Sequence, residues 1–149
     1  MTELMIVVAI VGILAAIAAP SFKGLSESQR VKTASFELYS LLSVARSEAI
    51  KRNANVTIAA VLSGSTLLRL DVTTAGGAVI QSKPKPVKVD FTIRPAGTTS
   101  VIFTRTGRPT VSGIAIQVDV EGSATPTSHV RCISLGLSGM PQTKKGVCP

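Results

Sequence analysis

Three patterns of apolar and polar positions follow one another along the chain. In the first, Leu4 to Ala19 form a run of sixteen uncharged, almost wholly apolar residues that begins directly after Glu3. At helical rise this run covers about 24 Å, short of a hydrocarbon core of about 30 Å unless Phe22 and the flanking residues extend it. Pro20 predicts a kink in that helix and not necessarily its end, because the ring removes one hydrogen bond and crowds the preceding turn.

In the second, apolar residues recur at spacings of three and four: Val31, Ala34 and Ser35, Leu38, Leu41 and Leu42, Ala45 and Ala49. Glu27, Arg30, Lys32, Glu37, Arg46, Lys51 and Arg52 fall mostly on the other sides. The spacing predicts an amphipathic helix whose stripe is narrow enough to lie across a sheet, stopped by Asn53-Ala54-Asn55.

In the third, from Val56 onward, short β-branched runs take over. They are VTIAAV at Val56 to Val61, LLRLDV at Leu67 to Val72, KVDFTI at Lys88 to Ile93, VIFT at Val101 to Thr104, IAIQVDV at Ile114 to Val120 and HVRCISL at His129 to Leu135. Ser63-Gly64-Ser65, Gly76-Gly77 and Gly122-Ser123 are among the turn signals between them, and Lys83 to Lys88 predicts an extended loop or edge. The expected fold class is α+β: a long kinked N-terminal helix whose second half packs on an antiparallel sheet. Residues 1–28 form the membrane or filament-core part of the helix. Residues 29–149 form one globular domain, with helix over 29–53 and sheet over 56–149.

Composition narrows the functional classes. Sixteen Lys and Arg against eight Asp and Glu give a formal charge of +8, a field that favours anionic partners without choosing among nucleic acid, acidic surfaces and lipid headgroups. The absence of Trp and the single Tyr leave few platforms for stacking single-stranded bases. His129 is the only histidine, and no carboxylate pair, metal spacing or nucleophile motif accompanies it, so neither an enzyme nor a cofactor nor a metal site is expected. Gly107-Arg108-Pro109 predicts a turn after a strand with Arg105 and Arg108 solvated; a phosphate contact there is the minority alternative. Cys132 and Cys148 are too few for a zinc site with one histidine. A disulfide between them would close a loop of about seventeen residues, contribute about 3 kcal/mol and place the domain in an oxidising compartment, with two unpaired thiols as the alternative.

The opening, Met1-Thr2-Glu3-Leu4 followed by the apolar helix and Pro20, resembles the N-terminus of type IV pilins and pseudopilins. The blocks ASFELYSLLSVARSEAIKRN at Ala34 to Asn53, IFTRTGRPT at Ile102 to Thr110 and RCISLGLSGMPQ at Arg131 to Gln142 resemble the GspH/FimT branch of minor pilins. In that family the chain begins Phe-Thr-Leu-Ile/Thr-Glu-Leu after cleavage of a leader. Met1 therefore takes the place of the family's leucine, and the expected precursor continues upstream with Gly-Phe-Thr and a basic leader. The resemblance implies cleavage by a prepilin peptidase, methylation of the new amino terminus, and pairing of Glu3 with that terminus on a neighbouring subunit. Physically, a carboxylate alone in lipid is costly and a cationic partner repays part of that cost.

The partners implied are other major and minor pilin or pseudopilin subunits, an inner-membrane assembly platform and, before assembly, the lipid bilayer. The implied location is the bacterial inner membrane, single-pass with a periplasmic domain, and then a type IV pilus or type II secretion pseudopilus. Some FimT-type members act in DNA uptake through a C-terminal Gly-Arg-x-Arg/Lys pattern. The corresponding Gly139-Met140-Pro141-Gln142 lacks both basic residues, so a DNA contact would fall to Arg131, Lys144 and Lys145. The remaining alternative is a secretory signal cleaved after Ala18, against which Glu3 and the missing basic n-region argue.

Overall fold

The computed structural model describes residues 2–63, 66–123 and 129–149, and the side chains of all of these except 17–21 and 66. Met1, the last two positions of the Ser63-Gly64-Ser65 turn and the Pro20 side chain lie outside what is described. One helix, α1 (Thr2–Arg52), carries the chain from its start through Pro20 to Arg52 without a break. Its 51 residues extend about 76 Å at helical rise. Glu3 in the first turn and Lys51 and Arg52 in the last oppose the helix dipole at both ends.

The end of α1 forms where the sequence places it. Asn53 adopts a left-handed φ of 50°, its amide donates to Ile50 O at 3.2 Å and the Ala54 amide to Ala49 O at 3.2 Å. These two bonds are the paired closures of a Schellman cap, with asparagine where glycine is more usual. The apolar stripe is also as expected: Val31, Ala34, Leu38, Leu41, Leu42, Ala45 and Ala49 are all buried. Ser35 is buried with them and its hydroxyl donates to Val31 O at 2.7 Å, so the one polar group in the stripe is satisfied.

Eight strands follow: β1 (Val56–Ser63), β2 (Thr66–Thr74), β3 (Val79–Pro84), β4 (Val89–Arg94), β5 (Ser100–Phe103), β6 (Ala115–Val120), β7 (Arg131–Leu135) and β8 (Pro141–Lys145). They form two antiparallel sheets where one was expected, in the orders β3-β2-β1-β5 and β4-β6-β7-β8. The chain thus leaves the first sheet for β4, returns for β5 and leaves again for β6. Both sheets meet the helix in one core that includes Val56, Ile58, Val72 and Phe103 from the first and Val89, Ile116, Val118 and Ile133 from the second.

Two strands depart from the expected set. β3 lies mostly before the segment read as an extended loop or edge and shares only its first two residues; it is an edge strand, ending in Lys83 and Pro84, residue types that suit an edge because they discourage further pairing. β8 is a fully polar run after its first residue, PQTKK, and no apolar alternation announces it. It pairs with β7 throughout, from Leu135↔Pro141 to Arg131↔Lys145. The cystines are therefore on the penultimate strand and the tail, and not on the last strand as expected.

Cys132 and Cys148 are joined across a separation of 16 residues, which in the chain-entropy account is worth about 3 kcal/mol. The bond folds the tail over the outer face of the second sheet, where Ala115, Cys132 and Cys148 form a small buried cluster of their own. The Gly146 amide donates to Val130 O at 2.9 Å, and Arg94 Nη1 reaches Pro149 O at 3.4 Å.

At the end of the domain nearer the start of α1, the link between β3 and β4 is fastened electrostatically. Lys85 Nζ lies 2.7 Å from Asp90 Oδ1 and 2.7 Å from Glu121 Oε1, and Asp90 Oδ2 accepts from the Gly122 amide at 3.3 Å. The hydrogen bond to Asp90, then that to Glu121, raises the Lys85 ammonium above its ordinary 10.5. A raised lysine contributes stability that is complete below the ordinary value and is lost as pH rises through the raised one. Lys85→Met should therefore remove about 1 kcal/mol at neutral pH and flatten the alkaline limb of the stability curve, as read by denaturant melts from pH 8 to above the ordinary lysine value.

Candidate functional site

The first candidate surface is the start of α1. Nine large apolar side chains between Leu4 and Leu14 are 53% to 75% exposed, and none packs on the domain. Such a surface is too large and too continuous for a solvated monomer and marks an interaction region. Glu3 stands exposed at its tip. Gly12 has nothing within 4 Å of where a Cβ would be, and with Ala16 four residues on, it leaves a strip where another helix backbone can come close. Among the described residues no helix is long and apolar enough to cross a membrane.

The second candidate is the basic group Arg131, Lys144 and Lys145. Arg131 and Lys145 are cross-strand partners, as are Cys132 and Lys144. Partners lie on the same face of a sheet and successive residues on opposite faces. Arg131 and Lys145 therefore share the face that also carries Ile133, whereas Lys144 lies on the disulfide side. The structure brings two of the three together, at the outermost strand of the second sheet, and separates the third by the pleat.

A turn follows β5 as expected but begins earlier, at Thr104 to Gly107 with Arg105 and Thr106 at its corners, while Pro109 is already on the return, bridged to Phe103. Thr104 and Arg108 close it, with the Thr104 amide donating to Arg108 O at 2.8 Å and the Gly107 amide to Thr104 O at 2.8 Å. Arg105 and Arg108 are exposed, while Gly107 is buried. The reason is a three-way junction that the sequence reading did not contain. Arg46 Nε on the helix donates to Gly107 O at 3.2 Å. A Cβ at Gly107, whose φ is +74°, would come within 2.7 Å of Ile50 Cδ1, and one at Gly139, whose φ is +75°, would overlap Gly107 O. Arg46, Gly107 and Gly139 belong to the three separate blocks that carry the pilin resemblance. Each block contributes one wall of this contact, so their residue types answer to packing and to left-handed backbone.

His129 precedes β7 and is half-buried; a Cβ at Gly24 would lie 3.9 Å from its Nε2, which places the imidazole beside the helix. An apolar cavity of about 200 Å³ opens between the sheets, lined by residues such as Leu38, Leu42, Ile58, Leu70, Phe91 and Ile116, with no titratable side chain in its lining. Among the described residues no three His, Cys, Asp or Glu side chains gather as a metal site.

Comparison with known proteins gives two findings. Residues 34–139 match the model of the family described as type II transport protein GspH. Two crystal structures of the type IV minor pilin FimU of Pseudomonas aeruginosa share the fold: one with a TM-score of 0.68 at 20% identity over 80% of this chain and 92% of that one, the other with 0.64 at 21% over 76% and 91%. No curated protein sequence matches the chain. The fold is thus the α+β pilin-like one, a long N-terminal helix on antiparallel sheet.

The junction makes a sharp prediction. Gly139→Ala must displace the Gly107 carbonyl and also adopt a strained φ, and should cost at least about 2 kcal/mol. Leu137→Ala, two residues away and exposed, should stay within about 0.5 kcal/mol in the same denaturant titration.

Proposed function

The chain belongs to the GspH family, and on that premise we propose that it is a structural subunit, a minor pilin or pseudopilin, which joins the initiating or tip complex of a type IV pilus or a type II secretion pseudopilus. The observation that carries this reading is the division of α1: its second half is the spine of the domain, and its first half presents a bare apolar surface with a carboxylate at the tip. A surface of that kind is stable in a bilayer or among other helices of the same kind, and assembly consists of exchanging the first for the second.

In this reading Leu4 to Ala19 anchor the subunit in the inner membrane with the domain in the periplasm, and residues 1–28 as a whole enter the filament core. A peptidase trims the precursor, the new amino terminus is methylated, and Glu3 pairs with the terminus of a neighbouring subunit as the assembly platform lifts it. Burying an unpartnered carboxylate is expensive, so the pair sets the axial register of the incoming helix as well as repaying its charge. Pro20 lets the apolar first half of the helix tilt relative to the packed second half. The partners are other major and minor subunits, and the role is structural and not catalytic.

The test is a Glu3→Ala substitution in the native precursor. Recovery of the subunit in sheared filaments or in cross-linked complexes with its partner subunits should fall at least about tenfold, the cost of about 1.4 kcal/mol or more, with the protein retained in the membrane fraction. Wild-type incorporation of Glu3→Ala, or a mature chain beginning at Ala19, would overturn the reading.

A second reading, contact with DNA in uptake, is favoured by one observation: Arg131 lies opposite Lys145 at the exposed edge of the second sheet. Phosphate contacts of two or three cations are sequence-blind and steeply salt-dependent. If this reading holds, random duplex should bind the chain at low salt and be lost in Arg131→Ala/Lys145→Ala, with Lys144→Ala having the smaller effect because it lies across the pleat.

A further inference from the structure

Beside the point where α1 leaves the domain, the helix and the β3–β4 link enclose a groove of about 280 Å³ lined by Phe22, Lys23, Ser26, Glu27, Arg30 and Lys88. It continues upward past Arg30 and Ser26 into a second hollow walled on the other side by Pro86 and Val87. Three cations thus face one carboxylate in the lower groove. Among the described residues Lys23, Arg30 and Lys88 make no ion pair. The second hollow adds one more acid, Glu37, and Asp90 and Glu121 beyond the link are both engaged by Lys85.

The apolar side chains of the two hollows are bare: Phe22 in the lower groove is 73% exposed and Val87 in the second hollow 77%. Lys88 is held at a φ of 61°, a region lysine seldom occupies, and the chain accepts this where Val87 and Lys88 stand side by side at the rim.

Depth decides what such a groove meets. Leu4 to Ala19 cover about 24 Å along the helix, less than the hydrocarbon thickness of about 30 Å, and the headgroup layer adds about 5 to 8 Å on each side. The shortfall draws Phe22 into the interface, as short apolar segments are compensated by their flanking residues. Lys23 then lies at headgroup depth and Arg30 about 10 Å higher, within the combined reach of a long side chain and the second hollow. Aromatic and basic side chains at this level are the usual anchors of a membrane-borne chain.

We propose that this groove is a binding site for the phosphate of an anionic phospholipid in the outer leaflet of the inner membrane. Lys23, Arg30 and Lys88 take the phosphodiester, and Phe22, on the membrane side of Lys23, lies against the upper acyl carbons. This rests on the reading of the chain as membrane-borne before assembly. The lipid fixes the domain's rotation and height above the bilayer, and it must be released when the subunit is lifted, so occupancy favours the membrane pool over the filament.

The full chain, reconstituted in vesicles containing equal phosphatidylcholine and phosphatidylglycerol, is extracted in mild detergent and its retained lipids counted by native mass spectrometry. A cation beside an anionic lipid gives about a fivefold preference, and three cations against Glu27 and Glu37 should favour retained phosphatidylglycerol by at least about fivefold. Lys23→Glu/Arg30→Glu/Lys88→Glu should bring the ratio to parity, and Lys51→Glu/Lys144→Glu/Lys145→Glu, with the same change of charge elsewhere, should leave it unaltered. No preference in the wild type, an unaffected groove variant, an equal loss in the control, or displacement by inorganic phosphate or duplex DNA would each overturn the proposal. A chain that alkaline carbonate strips from the vesicles would bring down the membrane-borne reading as well, whereas stable insertion without lipid preference removes this inference alone.

Discussion

Everything in the domain depends on how closely α1 approaches the two sheets. Its buried stripe mixes large residues with small ones: Leu38, Leu41 and Leu42 fill the centre, while Ala34, Ala45 and Ala49 keep the helix surface low on either side. Close packing of this kind makes the core sensitive to added as well as lost volume. Neither sheet buries its inner face on the other alone, because the helix residues lie in the same apolar cluster as strands of both. The helix is therefore the domain's core element and at the same time the carrier of its exposed half. Because the backbone runs through Pro20 without a break, the apolar first half is held out from the domain by the same packing that folds it. The exposed apolar surface is a consequence of the core.

Much of this was legible in the sequence because helical periodicity is a local signal. Every position assigned to the stripe is buried, and the stop at Asn53 is realised as a cap. Strand existence was legible wherever β-branched residues cluster, as at Val56 to Val61 and Ile114 to Val120. What failed was non-local or carried by polar residues. β8 reads PQTKK and is a strand because β7 and the disulfide-held tail supply its pairing, a tertiary effect that overrides propensity. The division into two sheets follows from β5 returning to β1 across β4, and no local pattern encodes which strand a run will pair with.

The candidate site was legible to a similar degree and for similar reasons. Glu3 stood out because it directly precedes an apolar run, whereas Lys144 and Lys145 were taken together by nearness in sequence and joined to Arg131 as a neighbour on the adjoining strand, which it is. On a strand nearness is misleading, since adjacent residues point to opposite faces. The glycines of the second and third blocks could be read as turns but not as partners: the signal that Gly107 and Gly139 meet is steric and appears only when both loops are in place. The groove at Lys23, Arg30 and Lys88 was hidden for the same reason. Two of its cations are seven residues apart on one flank of the helix, a visible pairing, but the third comes from a link almost sixty residues away.

The excess of positive charge acquires a place from this geometry. Where acids exist, the fold tends to spend them locally: Glu48 on Arg52, Asp71 on Ser82 and Arg69, Asp90 and Glu121 on Lys85. The hydrogen bond from Arg52 lowers the Glu48 carboxyl, and that from Ser82, followed by Arg69, lowers Asp71, so these acids are ionised and engaged at neutral pH. Cations outnumber acids two to one, and those without an ion pair among the described residues include Arg105 and Arg108 at the far turn, Arg131, Lys144 and Lys145 on the last two strands, and Lys23, Arg30 and Lys88 at the base. Exposed ion pairs contribute little to stability, so this arrangement does not serve the core. It leaves a positive field at the base of the domain, where attraction for an anionic surface extends about a Debye length. On the proposed membrane-borne reading that attraction is also the barrier to lifting the subunit out, and the proposed pairing of Glu3 with a neighbour's terminus has to exceed it.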